Sequence, residues 1–490
     1  MTPLRICLAS SELTPFAKTG GLADVAGALT RYLHGAGHDV RSFLPLYRRI
    51  RESGVALHPV EFLRDVPVKV GPWDATFSVE TAALPGTDAM VYLVDCPVLF
   101  DRESIYTGDP DEHLRFLLFS RAVLESCQRM GWSPHVVHAN DWQTAFLPLY
   151  VKHLYDWDRL FADTRSVLTI HNIGYQGTFP ADILPDTGMA DHADRLHAED
   201  LTEGRIGFLK TGILYADAVT TVSRTYAREI QTPEYGVGLD DLLRARSDSL
   251  VGIVNGVDYD IWDPATDPHL AANYTPDNLA GKETNKQAVL EALGLPYRPG
   301  VPLLGIVSRL AAQKGFDLFP EMLPAFLRET GVSLVVLGSG EPRFASFFRE
   351  LRHAFPGQVG FYEGFHEPLA HLIEAGSDIF LMPSHYEPCG LNQMYSLKYG
   401  TLPVVRATGG LADTVEPLDP RTGEGTGFVF DHYTADGLRW ALSLALETYK
   451  HPRVWGRMMQ AAMSRDFSWD HQGQEYLRLY AALTGEPAGV

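Results

Sequence analysis

Short, almost unbroken apolar runs separated by helix-length stretches recur along this chain, and they come in two series. The first comprises residues 5–9, 40–44, 90–94, 136–138, 166–170 and 218–222. The second comprises 302–308, 333–337, 359–362, 379–382 and 402–405. Runs of this kind belong to parallel strands buried on both faces, and parallel neighbours need a crossover, usually a helix. After the first run, Leu22, Val25, Ala26, Leu29, Tyr32 and Leu33 stand at helical spacing, closed by Gly35 and Gly37. The expected fold class is therefore α/β, with two doubly wound Rossmann-like domains. Between the two series, residues 255–300 are rich in Pro, Gly, Asn and Asp. The expected division is a first domain over 1–255, a linker region over 256–300, a second domain over 301–465, and a closing helix within 466–490.

One hexapeptide occurs twice, as Thr19-Gly20-Gly21-Leu22-Ala23-Asp24 and as Thr408-Gly409-Gly410-Leu411-Ala412-Asp413. Each copy follows a strand-like run, with Lys18 before the first and Arg406 before the second. Paired glycines after a strand allow a tight turn whose N–H groups can face an anion. An ordinary strand-to-helix turn explains one copy as well. Two copies near basic residues point to two similar halves facing one charged ligand.

Composition narrows the function. Of 490 residues, 41 are Lys or Arg and 61 are Asp or Glu, a net charge of −20. That disfavours nucleic-acid and membrane-surface partners, so a phosphate site must be built locally. The cysteines Cys7, Cys96, Cys127 and Cys389 fit neither a zinc pattern nor a disulfide framework, which suggests a cytoplasmic setting. Residues 1–12 do not read as a signal peptide, no run approaches membrane-spanning length, and no metal-binding motif is expected.

In open parallel sheets, ligands bind beyond the carboxyl ends of the strands. Candidate groups cluster there. Arg309 and Lys314 could neutralise a diphosphate, or cap a helix as surface cations. Glu387 could bind sugar hydroxyls or stabilise positive charge at an anomeric carbon, or be a turn acid before Pro388. Gly390 and Leu391 would present N–H groups at a helix start. His171 could bond a sugar hydroxyl or a local partner. Asp141 beside Trp142 could form a carbohydrate surface, or be a capping acid beside a core Trp.

Taken in order, these motifs resemble the bacterial glycogen synthase and plant starch synthase family. They are Lys18 to Val25, His171-Asn172, Asn255-Gly256-Val257-Asp258, Ser308-Arg309-Leu310 with Gln313-Lys314-Gly315, Glu387-Pro388-Cys389-Gly390-Leu391-Asn392-Gln393, Tyr399 to Pro403, the second hexapeptide, and Phe467-Ser468-Trp469. The resemblance implies a GT-B fold with an interdomain cleft and a C-terminal helix returning to the first domain. It implies retaining transfer of glucose from ADP-glucose to the non-reducing 4-hydroxyl of an α-1,4-glucan, releasing ADP. ADP-glucose is a substrate in this scheme, and no cofactor is implied. Arg309 and Lys314 would hold the diphosphate, with Lys18 also at the donor site. His171 and Asn255 would hold the glucosyl unit, together with Glu387 and the amides of Cys389, Gly390 and Leu391. Asp141 would lie nearer the acceptor, and Phe365 against adenine. Gly20, Gly21, Asp24, Asn172, Thr408, Gly409 and Gly410 complete the implied substrate-binding set.

Two positions depart from related patterns. Tyr395 stands where many related glycosyltransferases carry a second Glu. Asp111-Glu112-His113 replaces a more usual Asp-Asn pair, which leaves the Tyr106 loop without an assigned role. A UDP-glucose transferase of the same fold, a phosphorylase and a non-catalytic glucan-binding protein are the rival readings.

Overall fold

The computed structural model describes residues 3–485; positions 1–2 and 486–490 of the expected first and last segments lie outside the described residues. Two compact units result. The first combines residues 3–256 with 469–485, and the second is 257–468.

In the first unit seven strands run parallel, in the spatial order Leu250–Gly252, Ala218–Thr221, Arg165–Ile170, Val136–Asn140, Arg5–Ala9, Asp39–Pro45, Met90–Asp95. In chain order this is 7-6-5-4-1-2-3. The order reverses between Arg5–Ala9 and Val136–Asn140, where Ala9 pairs with Ala139. The second unit repeats the scheme with six parallel strands, Val359–Glu363, Ser333–Gly338, Leu303–Val307, Ile379–Met382, Leu402–Arg406, Phe428–Phe430. Its order is 3-2-1-4-5-6, the Rossmann arrangement, reversing between Leu303–Val307 and Ile379–Met382. The strands are apolar because helices cover both faces: Ile6, Leu8, Val137, Leu304, Val336 and Phe380 are all buried.

The pattern of apolar runs gives no sign of the antiparallel strands, of which the longest lies in the first unit. Trp73–Ala83 pairs antiparallel with Met90–Asp95 and carries Val66–Val70 on its other end. Its buried side chains include Phe77, Val79 and Ala82.

The helix Trp469–Thr484 belongs to the first unit because its aromatic face is buried there. It lies so close to the helix Gly21–Gly35 that a Cβ at Gly473 would sit 2.3 Å from the Tyr32 ring. Tyr480, fully buried, bonds through its hydroxyl to His138 Nδ1 at 2.7 Å, and His138 Nε2 meets Thr169 Oγ1 at 2.6 Å. The loss of hydration holds His138 neutral, its pKa lowered to about 3.

Residues 257–300, expected as a linker, are packed into the second unit. Trp262 is stacked between His371, centroid to centroid 3.8 Å, and Tyr395, 3.9 Å. Asp267 accepts from the Tyr399 hydroxyl at 2.5 Å and meets His371 Nδ1 at 2.7 Å. The helix Ala280–Ala292 buries Lys282, whose ammonium donates to Ala375 O, Ser377 O and Thr401 Oγ1 at 2.6–2.9 Å. The many turn residues of this stretch set an irregular backbone, and buried polar bonds fix it.

Candidate active site

In each unit the reversal of strand order opens a crevice past the carboxyl ends of two adjacent strands. The candidate residues gather at these two points.

In the first unit Asp141 follows Val136–Asn140 directly. It is buried and its φ is 54°, a left-handed conformation that a non-glycine residue holds only when its surroundings impose it. The constraint is visible: its carboxylate accepts the His171 amide at 2.7 Å, and the Asn172 amide as well. Burial raises its pKa from 3.8 to about 7, against the lowering effect of those two amides; the charge of Glu12 adds a smaller upward push. The protonated form therefore favours the fold below pH 3.8, and this contribution is lost as pH rises through about 7. Near neutral pH the protonated and ionised forms of Asp141 are therefore both populated.

His171 ends the next strand, Arg165–Ile170. Its Nε2 lies 2.9 Å from Asn140 Oδ1, and Asn140 Nδ2 donates to Ala9 O at 3.1 Å. With the amide oriented by that second bond, Nε2 carries the proton and Nδ1 is left as an acceptor. Burial lowers the His171 pKa to about 3, with His138 adding to the effect, so the ring is neutral. Asn172 is half-buried, with its side chain accepting the Gly174 amide. Asn255 is buried, and its Oδ1 has no hydrogen-bond partner among the described residues. Trp142 proves to be a core residue, packed among Phe116, Phe179 and Phe208.

The first hexapeptide opens the helix Gly21–Gly35, whose N-cap is Gly20. Lys18 precedes it, exposed, with Nζ 2.7 Å from Asp24 Oδ1. The Gly20 amide, expected to face a ligand anion, is instead bonded, together with that of Thr19, to the carboxylate of Glu12. Nothing in the local sequence marked Glu12, which reaches the loop from eight residues upstream. The Tyr106 loop joins the same carboxylate through its hydroxyl at 2.7 Å. Behind it, Glu112 accepts from Thr107 Oγ1 and Arg115, and Asp111 pairs with Arg102, so these two residues brace this loop, while His113 meets Asp186 of the segment Ala181–Thr187.

In the second unit Arg309 follows Leu303–Val307. It is exposed, and its guanidinium makes no hydrogen bond or ion pair among the described residues. Lys314 and Glu387 meet at 2.6 Å, with Ser384 Oγ donating to the same carboxylate oxygen at 2.9 Å. Glu387 is buried. The turn that carries it is pressed against the second hexapeptide: a Cβ at Gly409 would lie 1.9 Å from Glu387 O, and one at Gly410 2.1 Å from Cys389 O. The Gly410 amide donates to Glu387 O at 3.1 Å. The second glycine pair therefore seats the Glu387 turn, with Thr408 buried beside it, and its Gly410 amide is not free for a ligand. Cys389 is buried, Gly390 has φ 74°, and Leu391 precedes the helix Asn392–Lys398. Phe365 is 81% exposed in the turn after Val359–Glu363.

The same architecture and similar sequences occur in known proteins. A family model described as the starch synthase catalytic domain matches residues 5–245, and one for glycosyl transferases group 1 matches 296–461. A glycogen synthase of Koribacter versatilis is 45% identical over 486 residues, covering 97% of this chain and 98% of its own. One from Desulforudis audaxviator is 45% identical over 489 residues, covering 98% and 96%. The chain belongs to the glycogen synthase and starch synthase family. The structure of the catalytic domain of starch synthase IV from Arabidopsis thaliana, bound to ADP and acarbose, superposes with a TM-score of 0.90 at 34% identity, over 99% of this chain and 100% of that one. Sucrose-phosphate synthase from Thermosynechococcus elongatus, 17% identical with a TM-score of 0.62, shares the fold alone. Two Rossmann-like units of the GT-B class are thus common to the family and to this chain. Tyr395 is explained in the same frame: it stacks on Trp262 and completes the packing of the stretch that follows residue 256. Among the described residues no helix is long and apolar enough to cross a membrane.

Proposed function

We propose that this protein transfers glucose from ADP-glucose to the non-reducing 4-hydroxyl of an α-1,4-glucan, with retention of configuration and release of ADP. The observation that carries the proposal is the Lys314–Glu387 pair, its carboxylate buried, together with the exposed Arg309, unpaired among the described residues, at the strand-order reversal of the second unit. A departing diphosphate needs cations more than it needs a general acid, and Arg309 and Lys314 supply them, Arg309 with a forked set of donors. Glu387 offers negative charge to an anomeric centre turning positive. The amides of Cys389 to Leu391 hold the glucosyl hydroxyls, and Phe365 lies against adenine. On the first unit, neutral His171 accepts a glucosyl hydroxyl at Nδ1, and Asn255 Oδ1 takes another. Lys18 adds charge at the donor, and Asp141 orients the acceptor.

In a same-face transfer, the bond from the anomeric carbon to the phosphate oxygen breaks as the acceptor 4-oxygen approaches from the same side. The acceptor's proton passes to the departing phosphate. Isolation of a glucosyl adduct on Glu387 or Asp141 would refute this course.

The purified chain, given glycogen with either ADP-glucose or UDP-glucose, is expected to elongate the glucan and release nucleoside diphosphate much faster from ADP-glucose. Equal use of the two donors would place it in a neighbouring group. A second measurement tests Asp141. If its ionised form is the working one, the initial rate climbs through about pH 7, and the Asp141→Asn chain keeps a low rate with no such rise. A wild-type profile flat from pH 6 to 8 would remove Asp141 from this role.

A further inference from the structure

Glu12 is buried at the carboxyl end of Arg5–Ala9, and its carboxylate is the meeting point of two loops. One oxygen accepts the amides of Thr19 and Gly20, the latter at 3.1 Å. The other accepts the Thr19 hydroxyl at 2.5 Å and the Tyr106 hydroxyl at 2.7 Å. Four donors on one carboxylate, two from backbone, hold it far more firmly than a surface ion pair would. Tyr106 is itself tied to Ser11 Oγ at 2.9 Å, so the 106 loop is bound at two points. Gly20 has no side chain with which to cap the helix Gly21–Gly35, and Glu12 instead fixes the two amides that lead into it. Lys18 is then the charged group left at the open edge of the loop. Among the described residues its ammonium is restrained only by Asp24, with 51% of its side chain exposed.

We propose that Glu12 is a positioning residue for donor binding: it clamps the Thr19–Gly20 backbone to the Tyr106 loop and thereby presents Lys18 to the diphosphate of the sugar nucleotide. This rests on the placement of Lys18 at the donor. Without the clamp the loop samples other conformations, and apparent donor affinity falls by the fraction of time the presenting conformation is lost. Glutamine at this position keeps the shape but turns an N–H toward donors that need an acceptor, so at least one of the four bonds is lost.

The test is a double-mutant cycle on ADP-glucose binding, by calorimetry on the full chain, with Glu12→Gln, Lys18→Ala and the pair together. Glu12→Gln is expected to weaken binding by about tenfold, the scale of one charge-assisted hydrogen bond. Lys18→Ala weakens it as well, and the double variant is expected to bind no worse than Lys18→Ala alone. A merely structural Glu12 would give additive losses, and additivity overturns the proposal. So does unchanged binding in Glu12→Gln while Lys18→Ala is impaired. Unchanged binding in Lys18→Ala would instead remove the donor role of Lys18, and the proposal with it. Thr19→Val and Tyr106→Phe each delete one donor to the carboxylate and leave its charge in place. Both are expected to weaken donor binding by about threefold, and this arm decides the matter if Glu12→Gln fails to fold; full affinity in both overturns the clamp.

Discussion

Exchange of Glu387 for glutamine is expected to lower the rate of glucosyl transfer by about 10²–10³-fold, the loss seen when one pre-organised electrostatic stabiliser is removed. The substitution is nearly isosteric, and Ser384 can still donate to the side-chain oxygen. What disappears is the negative charge that faces Lys314 at 2.6 Å. Lys314 would then hold the diphosphate more firmly in the ground state, while the developing positive charge on the sugar lost its partner. The loss should therefore fall on kcat, with the KM for ADP-glucose unchanged or lower. Glucan affinity, read separately by gel retardation in glycogen, should stay near that of the unmodified chain. Turnover within tenfold of the original would sink the assignment of Glu387. A chain whose parent binds glycogen but never releases ADP would be a glucan-binding protein.

The second large effect is on stability. Tyr480→Ala empties a fully buried site between the closing helix and the sheet of the first unit and should destabilise that unit by about 3–5 kcal/mol. Tyr480→Phe keeps the ring, loses only the bond to His138 Nδ1, and should cost about 1–3 kcal/mol. Because two units are present, the comparison is made on the urea midpoint of each resolved transition rather than on one global value. Only the transition of the first unit should move. Equal midpoints for Tyr480→Ala and the parent chain would show that the helix contributes little to that unit.

Much of the architecture is legible in the sequence because parallel strands leave continuous apolar runs, and eleven such runs mark the strands that flank both reversals of order. The hairpin strand Trp73–Ala83 leaves no such run because it alternates: Phe77 and Val79 are buried while Asp74 and Thr76 face outward. The packing of 257–300 was hidden for a different reason. Its anchors, Asp267 and Lys282, are charged residues, which composition assigns to the surface, and only their distant partners bury them. The placement of Glu387, Lys314, Arg309, Asp141 and His171 beyond strand ends was legible because each follows one of the apolar runs closely. Glu12 was not, since a carboxylate that binds the amides of Thr19 and Gly20 from upstream leaves no local spacing to read. The second glycine pair was legible as a motif but not in its task, because its contact lies with a turn about twenty residues away along the chain.

The first unit is assembled from residues 3–256 and 469–485, with the entire second unit encoded between them. On the ribosome, then, the earliest-made sheet emerges with the face destined for Tyr476 and Tyr480 still uncovered. It must wait for more than two hundred further residues before its own last helix arrives. During that interval Tyr32 and His138 are exposed to nascent chain and chaperones alike. A message cut short within the second half would therefore yield two incomplete folds instead of one finished domain and one fragment.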